Sequence, residues 1–273
     1  PPGMNMSNLS LVADCANGAA SHLTPLVTKR LGLNCIFLNE NPTGKNINRN
    51  CGSLHPEGMA QEVLEQGADL GVALDGDGDR AIFSTGKGQI MDGDGILWVA
   101  ARFLKSQGIL PGNHVVGTVM TNYGLELALK KEDIQLVRTP VGDKYVLKEM
   151  LRMGASLGGE PSGHIIFSNL STTGDGLLSL LMILRIMVDS GQSLEDLLGE
   201  PKLFPQVIQN VKVDIQPPLE SVASIQQALI RSEEKLRDQG RILVRYSGTE
   251  PLLRIMVEAT EEKMAHEVSH ELV

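Results

Sequence analysis

Three carboxylates alternate with glycines in Asp75-Gly76-Asp77-Gly78-Asp79-Arg80. Alternate side chains of an extended or turning backbone can converge on one hard cation, and glycine permits the tight curvature between them. Carboxylate oxygens suit Mg²⁺ or Mn²⁺. Without a cation, three crowded carboxylates repel one another, which argues against a plain acidic turn. An EF-hand would need Gly at the sixth loop position and Glu at the twelfth. Those positions hold Arg80 and Gly86, so the loop is of another kind.

Two further stretches could handle a phosphorylated, hydroxyl-rich ligand. Arg245-Tyr246-Ser247-Gly248-Thr249-Glu250-Pro251, with Arg254 close behind, joins two hydroxyls, a glycine and two guanidinium groups. Backbone N–H groups, hydroxyls and a bidentate Arg can wrap a phosphate. Ser-Gly-Thr is also a common turn. Gly158-Gly159-Glu160-Pro161-Ser162-Gly163-His164 sets a carboxylate and a hydroxyl on a glycine-rich loop, suited to sugar hydroxyls. His164 reads either as a structural histidine or as a cationic contact to phosphate. The pair Ser21-His22 is set aside as a catalytic dyad. Neighbours on a helix point about 100° apart, and a nucleophile must face its base.

Elements that could position these loops alternate along the chain. Leu9 to Asp14 reads as a strand, followed after Asn17-Gly18 by a helix to Leu31-Gly32. Asn34 to Leu38 is a strand, Ser53, Pro56 and Glu57 open a helix to Gln66-Gly67, and Leu70 to Leu74 is a strand ending at Asp75. Ala81 to Ser84 is extended, and Asp92-Gly93-Asp94-Gly95 opens a helix to Ser106. The pattern restarts with strands at Val115–Met120 and Ile134–Arg138, helices at Asn122–Lys131 and Asp143–Arg152, and a strand into Gly159. Ala81-Ile82-Phe83-Ser84 is echoed by Ile165-Ile166-Phe167-Ser168, and Gly93-Asp94-Gly95 by Gly174-Asp175-Gly176. Such an echo predicts a duplicated α/β unit. Ligands of open α/β sheets sit beyond the carboxyl ends of strands, where the Asp75 and Glu160 loops lie.

The predicted architecture is therefore two tandem, topologically similar α/β domains, 7–108 and 109–200, with mixed, mostly parallel sheets. A smaller α+β domain, 201–273, follows. It holds strands at Val207–Asp214, Ile242–Arg245 and Leu252–Glu258, a charged helix at Glu220–Gln239 and a last helix from Thr260. Residues 1–6 read as a linker, and Pro201–Pro205 as another.

Composition narrows the ligand class. The 273 residues carry a net charge of −9, so the long-range field repels phosphate backbones and anionic membranes. One Trp, three Tyr and five Phe leave little for base stacking. Cys15, Cys35 and Cys51 have no metal-type spacing, and they read as reduced thiols of a cytoplasmic protein. The longest apolar stretch, Leu177 to Val188, is too short for a membrane span. No nucleic-acid or membrane partner is expected.

Taken in order, the three loops resemble those of the α-D-phosphohexomutase superfamily, and the resemblance runs from about Ser7 to the end. Its members carry an Asp-Gly-Asp-Gly-Asp-Arg metal loop, a Gly-Glu-X-Ser-Gly-His sugar loop and an Arg-X-Ser-Gly-Thr-Glu-Pro phosphate loop. Gly142-Asp143-Lys144-Tyr145-Val146, Thr172-Thr173-Gly174-Asp175-Gly176 and the run Ser247 to Glu258 resemble its amino-sugar branch. The resemblance implies exchange of phosphate between the 6- and 1-positions of glucosamine through a phosphoserine and a hexose bisphosphate. It implies Mg²⁺ on Asp75, Asp77 and Asp79, with Arg80 beside it. It implies Glu160 and Ser162 on sugar hydroxyls, and Arg245, Ser247, Gly248, Thr249 and Arg254 on the phosphate not being transferred. Lys144 and His164 are implied in phosphate or proton roles. Family members bear the phosphoserine in a Ser-His-Asn-Pro motif of a first domain, and Ser21-His22 is not that motif. The chain is thus expected to lack the nucleophile and to be inactive alone. Pro161 stands where relatives often have Gln, Met or Asn, so the hexose, mannose or glucose as well as glucosamine, stays open. A non-catalytic sugar-phosphate binding role for the chain as given is the alternative of another class. A haloacid-type phosphatase would set Thr or Val, not Asp79, after the second Asp.

Overall fold

A computed structural model describes residues 6–199, 201–247 and 250–273. The chain divides into two compact units, one reaching through Thr121 and resuming at Leu129–Pro201, the other made of Asn122–Ala128 and Lys202 onward. Of the opening segment expected as a linker, Met6 is buried and the remainder lies outside the described residues.

The first unit holds two α/β lobes of matching topology. In the first lobe β1 (Ser10–Asp14), β2 (Asn34–Leu38) and β3 (Leu70–Leu74) are parallel, and β4 (Ala81–Thr85) and β5 (Ile90–Met91) add antiparallel, giving the order β2-β1-β3-β4-β5. In the second, β6 (His114–Thr118), β7 (Gln135–Thr139) and β8 (Leu157–Gly159) are parallel and β9 (Ile165–Phe167) is antiparallel, in the order β7-β6-β8-β9. The order repeats element for element, with β1 matched by β6, β2 by β7, β3 by β8 and β4 by β9. The echo of Ala81–Ser84 in Ile165–Ser168 is thus the echo of β4 in β9.

Helices α1 (Ala20–Leu31) and α2 (Glu57–Gln66) flank the first sheet, and both stop at a left-handed glycine, Gly32 and Gly67. Met59 and Val63 of α2 pack on Val12 and Ala73. In the second lobe Val146 and Met150 of α5 (Asp143–Met153) pack on Val116 and Ile166. Between these helices, α4 (Tyr123–Lys131) begins in the second unit and ends in the first.

The remaining two long helices change places. Helix α3 (Gly93–Ser106) follows the first sheet in sequence, yet it packs on β8 and β9 of the second. Helix α6 (Gly176–Ser190) follows the second sheet and packs on β3 and β4 of the first. The two helices also touch each other. This sandwiching explains why both are buried around nearly their whole circumference, a pattern that suits a helix with apolar neighbours on all sides. Each starts on an aspartate cap. Asp92 accepts the N–H groups of Asp94 and Gly95, and Asp175 accepts that of Leu178. The caps do not fall on the residues that the sequence echo aligns. Asp175 aligns with Asp94, but Asp92, two residues earlier, does the capping. A short α7 (Leu194–Leu198), not foreseen from the sequence, packs on α3, where Leu198 O accepts the Trp98 indole N–H.

The second unit is a three-stranded antiparallel sheet with helices. Strand β12 (Leu252–Ala259) is central between β10 (Gln206–Lys212) and β11 (Gly240–Tyr246). Helices α8 (Ala223–Leu236) and α9 (Glu262–Glu271) pack on it through Leu236, Ala265 and Val268. The charged helix expected over Glu220–Gln239 is shorter, because both of its ends wind as 3₁₀ turns. Glu258, fully buried, is paired with Arg241 at 2.7 Å and also accepts the Gln206 side-chain amide and the Tyr123 N–H. A carboxylate is tolerated at such a depth only when satisfied in this way.

Helix exchange leaves no room for a side chain at Gly93, where α3 meets the loop of the other lobe. A Cβ on Gly93 would strike the Glu160 carbonyl oxygen, whereas Gly58, exposed in α2, has nothing within 4 Å. Gly93→Ala is expected to cost about 1–3 kcal/mol of stability by overpacking. Gly58→Ala is expected to gain about 0.5 kcal/mol from reduced chain entropy. Urea unfolding of both variants against the parent checks the contrast.

Candidate functional site

Loop 75–80 leaves the carboxyl end of β3, a strand buried along its whole length. Asp75 folds the loop back on itself. Its Oδ1 accepts the N–H groups of Gly78 and Arg80, both at 3.1 Å. Neighbours pin the loop from outside. The Ala19 N–H donates to Gly76 O at 2.8 Å, and the Gly176 N–H, at the start of α6, donates to Gly78 O at 2.8 Å. Carboxylate oxygens of Asp75, Asp77 and Asp79 lie within 4.8 Å of one another. The Arg80 Nε sits 3.7 Å from Asp75 and 3.6 Å from Asp79, beyond hydrogen-bond reach. Arg80 Nε and Asp79 Oδ1 are both buried without a hydrogen-bond partner. Burial pushes the Asp75 carboxyl up to about 6 against the Arg80 N–H bond, and repulsion from Asp79 and Asp77 adds to the rise. An all-oxygen cluster with an orphaned buried acceptor and a carboxyl held above its ordinary range fits a divalent cation.

Loop 160–164 joins β8 to β9 as a tight turn. Glu160 N–H donates to His164 O, and Gly163 N–H to Glu160 O, both at 3.0 Å. Gly163 has φ +91°, and the Ala81 carbonyl occupies the space a Cβ would need, so only glycine serves there. The Gly93 N–H of α3 donates to Pro161 O at 3.0 Å, mirroring the bond from Gly176 to loop 75–80. The Ala81 N–H donates to Gly163 O at 3.1 Å. Each loop is thus held by the first residue of the helix from the opposite lobe.

Side chains join the loops directly. His164 is 4% exposed, and its Nδ1 lies 3.1 Å from Asp79 Oδ2. Glu160 Oε1 accepts the Gly142 N–H at 2.9 Å, which ties loop 160–164 to the start of α5. There Lys144 is exposed, with its Nζ 4.9 Å from the centre of the Tyr145 ring. Ser162 is exposed. Asp75, Asp77, Asp79, Arg80, Glu160, Ser162, His164 and Lys144 therefore all belong to one unit.

The second unit presents the other loop. Ser247 N–H donates to Leu252 O at 2.8 Å, and Ser247 Oγ accepts the Glu250 N–H at 3.3 Å. Gly248 and Thr249 lie outside the described residues. Arg245 of β11 and Arg254 of β12 are direct cross-strand partners, which puts both guanidinium groups on one face. Like charges opposite each other are unfavourable unless an anion intervenes. The Glu250 carboxylate, 2.8 Å from Arg254, supplies part of that charge. The Arg254 Nε is buried without a hydrogen-bond partner.

Ser21 is buried on α1 while His22 is exposed, and no hydrogen bond joins them. Burial raises the Cys15 and Cys35 thiols to about 11 and about 12, so both stay protonated at neutral pH. Two residues that shape the site escaped sequence reasoning. Gly142 and Gly174 act through backbone N–H groups, which side-chain chemistry does not reveal. Only their place inside the quoted motifs marked them.

Family models match almost the whole chain in consecutive pieces. Residues 4–88 match the α/β/α domain II of phosphoglucomutase/phosphomannomutase, 92–204 its α/β/α domain III, and 209–273 its C-terminal domain. The chain belongs to the phosphoglucomutase/phosphomannomutase family. A family relative, the phosphoglucosamine mutase of Koribacter versatilis, is 49% identical over 95% of the chain and 57% of its own length. That of Citrifermentans bemidjiense is 49% identical over 96% and 58%. The chain thus spans under three fifths of these curated relatives. An Aspergillus fumigatus N-acetylphosphoglucosamine mutase, solved in complex with GlcNAc-6P and magnesium, shares the fold with a TM-score of 0.78. It is 23% identical and aligns over 99% of this chain and 66% of its own. The family boundary between domains II and III falls before α3, in keeping with the packing of that helix on the second sheet.

With its carboxyl near 6 rather than the ordinary 3.8, Asp75 keeps its proton in the metal-free fold between about pH 4 and pH 6, where the unfolded chain has released it. That contribution to stability is present below about pH 4 and lost as pH rises through about 6. A cation must displace the same proton. Mn²⁺ affinity is therefore expected to fall between pH 7 and pH 5, approaching about tenfold per unit at the acid end. Titration of the chain with Mn²⁺, followed by electron paramagnetic resonance, checks it.

Proposed function

We propose that this chain carries the metal, sugar and distal-phosphate residues of a phosphoglucosamine mutase, which interconverts glucosamine 6-phosphate and glucosamine 1-phosphate. The observation that carries the reading is the hydrogen bond from His164 to Asp79. It joins a carboxylate cluster suited to phosphoryl transfer with a loop suited to a hexose, as one built site. The identity to phosphoglucosamine mutases supports the choice of sugar.

In this reading Asp75, Asp77 and Asp79 hold Mg²⁺. Bound there, Mg²⁺ supplies charge neutralisation to the phosphoryl group in flight. Arg80 flanks the cluster and adds a cation on the same side. Glu160, with one oxygen fixed by Gly142, offers the other to sugar hydroxyls, and the exposed Ser162 adds a donor or acceptor. A grip on hydroxyls, not on phosphate, can accept the ring in two orientations. That is what exchange between the two ends of one sugar requires. Arg245, Ser247, Gly248, Thr249 and Arg254 take the phosphate that is not transferred. Lys144 serves as a further cation for phosphate. The transferred group comes from a phosphoserine, for which this sequence holds no Ser-His-Asn-Pro segment. Positioning and charge, rather than acid–base power, set the rate in such transfers. The protein works in the cytoplasm, with hexosamine phosphates and a hexose bisphosphate as its ligands.

Calorimetric titration with glucosamine 6-phosphate and with mannose 6-phosphate, each with and without Mg²⁺, tests the reading. Preference for the glucosamine ligand is expected, with no turnover by this chain alone when primed with a hexose bisphosphate. Glu160→Gln is expected to weaken binding about tenfold, the cost of one charged hydrogen bond. Equal or stronger binding of mannose 6-phosphate would point to a phosphomannomutase instead. Binding without turnover even when the whole protein is tested would leave a sugar-phosphate binding role.

A further inference from the structure

The site contains a histidine whose two ring nitrogens have different partners, and one of them fixes the proton. The Gly174 backbone N–H points at His164 Nε2 from 3.1 Å. A backbone N–H only donates, so Nε2 must keep its lone pair. The ring proton then resides on Nδ1, where it is donated to Asp79 Oδ2 at 3.1 Å. Gly174 also presses on the ring itself. A Cβ there would come within 2.5 Å of both Cε1 and Nε2. With a side chain 5% exposed, the His164 ring is enclosed between these two partners.

We propose that Gly174 and His164 are positioning residues for Asp79, forming a fixed chain of donors from the start of α6 to the metal cluster. The Gly174 N–H sets the tautomer, the Nδ1–H occupies Asp79 Oδ2, and Asp79 Oδ1 is left as the oxygen available to a cation. Asp79 Oδ1 is the buried acceptor that has no hydrogen-bond partner. Metal-binding groups are commonly oriented by second partners of this kind. The role differs from a cationic contact to phosphate, since an Nε2 that accepts from Gly174 has nothing to donate to one. It also gives a task to Thr173-Gly174-Asp175, where Asp175 caps α6 and Gly174, just before it, reaches the ring. The inference rests on the reading of Asp75, Asp77 and Asp79 as a metal site.

Two measurements on the whole chain test it. The first is the ring ¹⁵N spectrum of histidine-labelled protein, with the His164 signals assigned by their loss in a His164 variant. A protonated Nδ1 and a bare Nε2 are expected, and a protonated Nε2 overturns the proposal. The second is Mn²⁺ affinity of two variants. In His164→Asn the amide nitrogen falls where Nδ1 was, and affinity is expected to stay within about threefold. In His164→Gln the amide falls nearer Nε2, and a loss of about tenfold or more is expected. Equal affinity in folded His164→Gln and parent overturns the proposal, as does an equal loss in both variants. Should the variants fail to fold, the ring spectrum of the parent decides alone, with the His164 signals assigned through bonds from its own backbone. Absence of Mn²⁺ binding by the parent would instead remove the metal site itself, a separate failure.

Discussion

Two glycine N–H groups, each at the first residue of a long helix, hold the site together. Gly93 donates to Pro161 O, and Gly176 donates to Gly78 O. Both bonds exist because α3 and α6 each lie on the sheet of the other lobe. A helix N-terminus carries unsatisfied donors, and here each meets a carbonyl of the loop it must hold. The absence of a Cβ at either glycine lets backbone approach backbone. Were each helix packed on its own sheet, the two loops would be free of one another. His164 could not reach Asp79, and the carboxylate cluster would have no fixed relation to Glu160.

Much of the fold was legible in the residue order. Alternating apolar runs with Gly and Asp at their ends marked the strands of both lobes, and the Ala81–Ser84 echo exposed the duplication. The carboxyl-end rule located both loops. Other features were not legible, for physical reasons. Periodicity reports which residues of α3 and α6 are apolar, but not which sheet covers them. The small strand β5 and the short α7 are made by packing rather than by propensity. The echo misaligned the caps by two residues, because Asp92 and Asp94 both resemble an N-cap and only geometry selects between them.

Among the candidate residues of each unit, the split follows the chemistry. Carboxylates and guanidinium groups announce themselves by residue type, so Asp75, Asp77, Asp79, Arg245 and Arg254 stood out. The cross-strand register that puts Arg245 opposite Arg254 depends on where a turn begins, which no motif states. Backbone donors are the least visible of all, since every residue but proline carries one. Gly142 and Gly174 take their importance from being where a side chain needs a hydrogen. The net charge of −9 makes this local arrangement matter more. A chain that repels anions at a distance can hold an anionic group only through a few placed cations and dipoles.

The crossed helices also make each lobe dependent on the other. A single lobe of this design, on its own, would leave β3 and β4 bare and extend an apolar helix into water. A second copy supplying the same helix in return would cover both defects at once. Within one chain the two lobes do this for each other, each covering the other's sheet with its own last helix. The two loops differ in chemistry, one gathering carboxylates and the other a Glu and a His, and the helix exchange keeps them in contact.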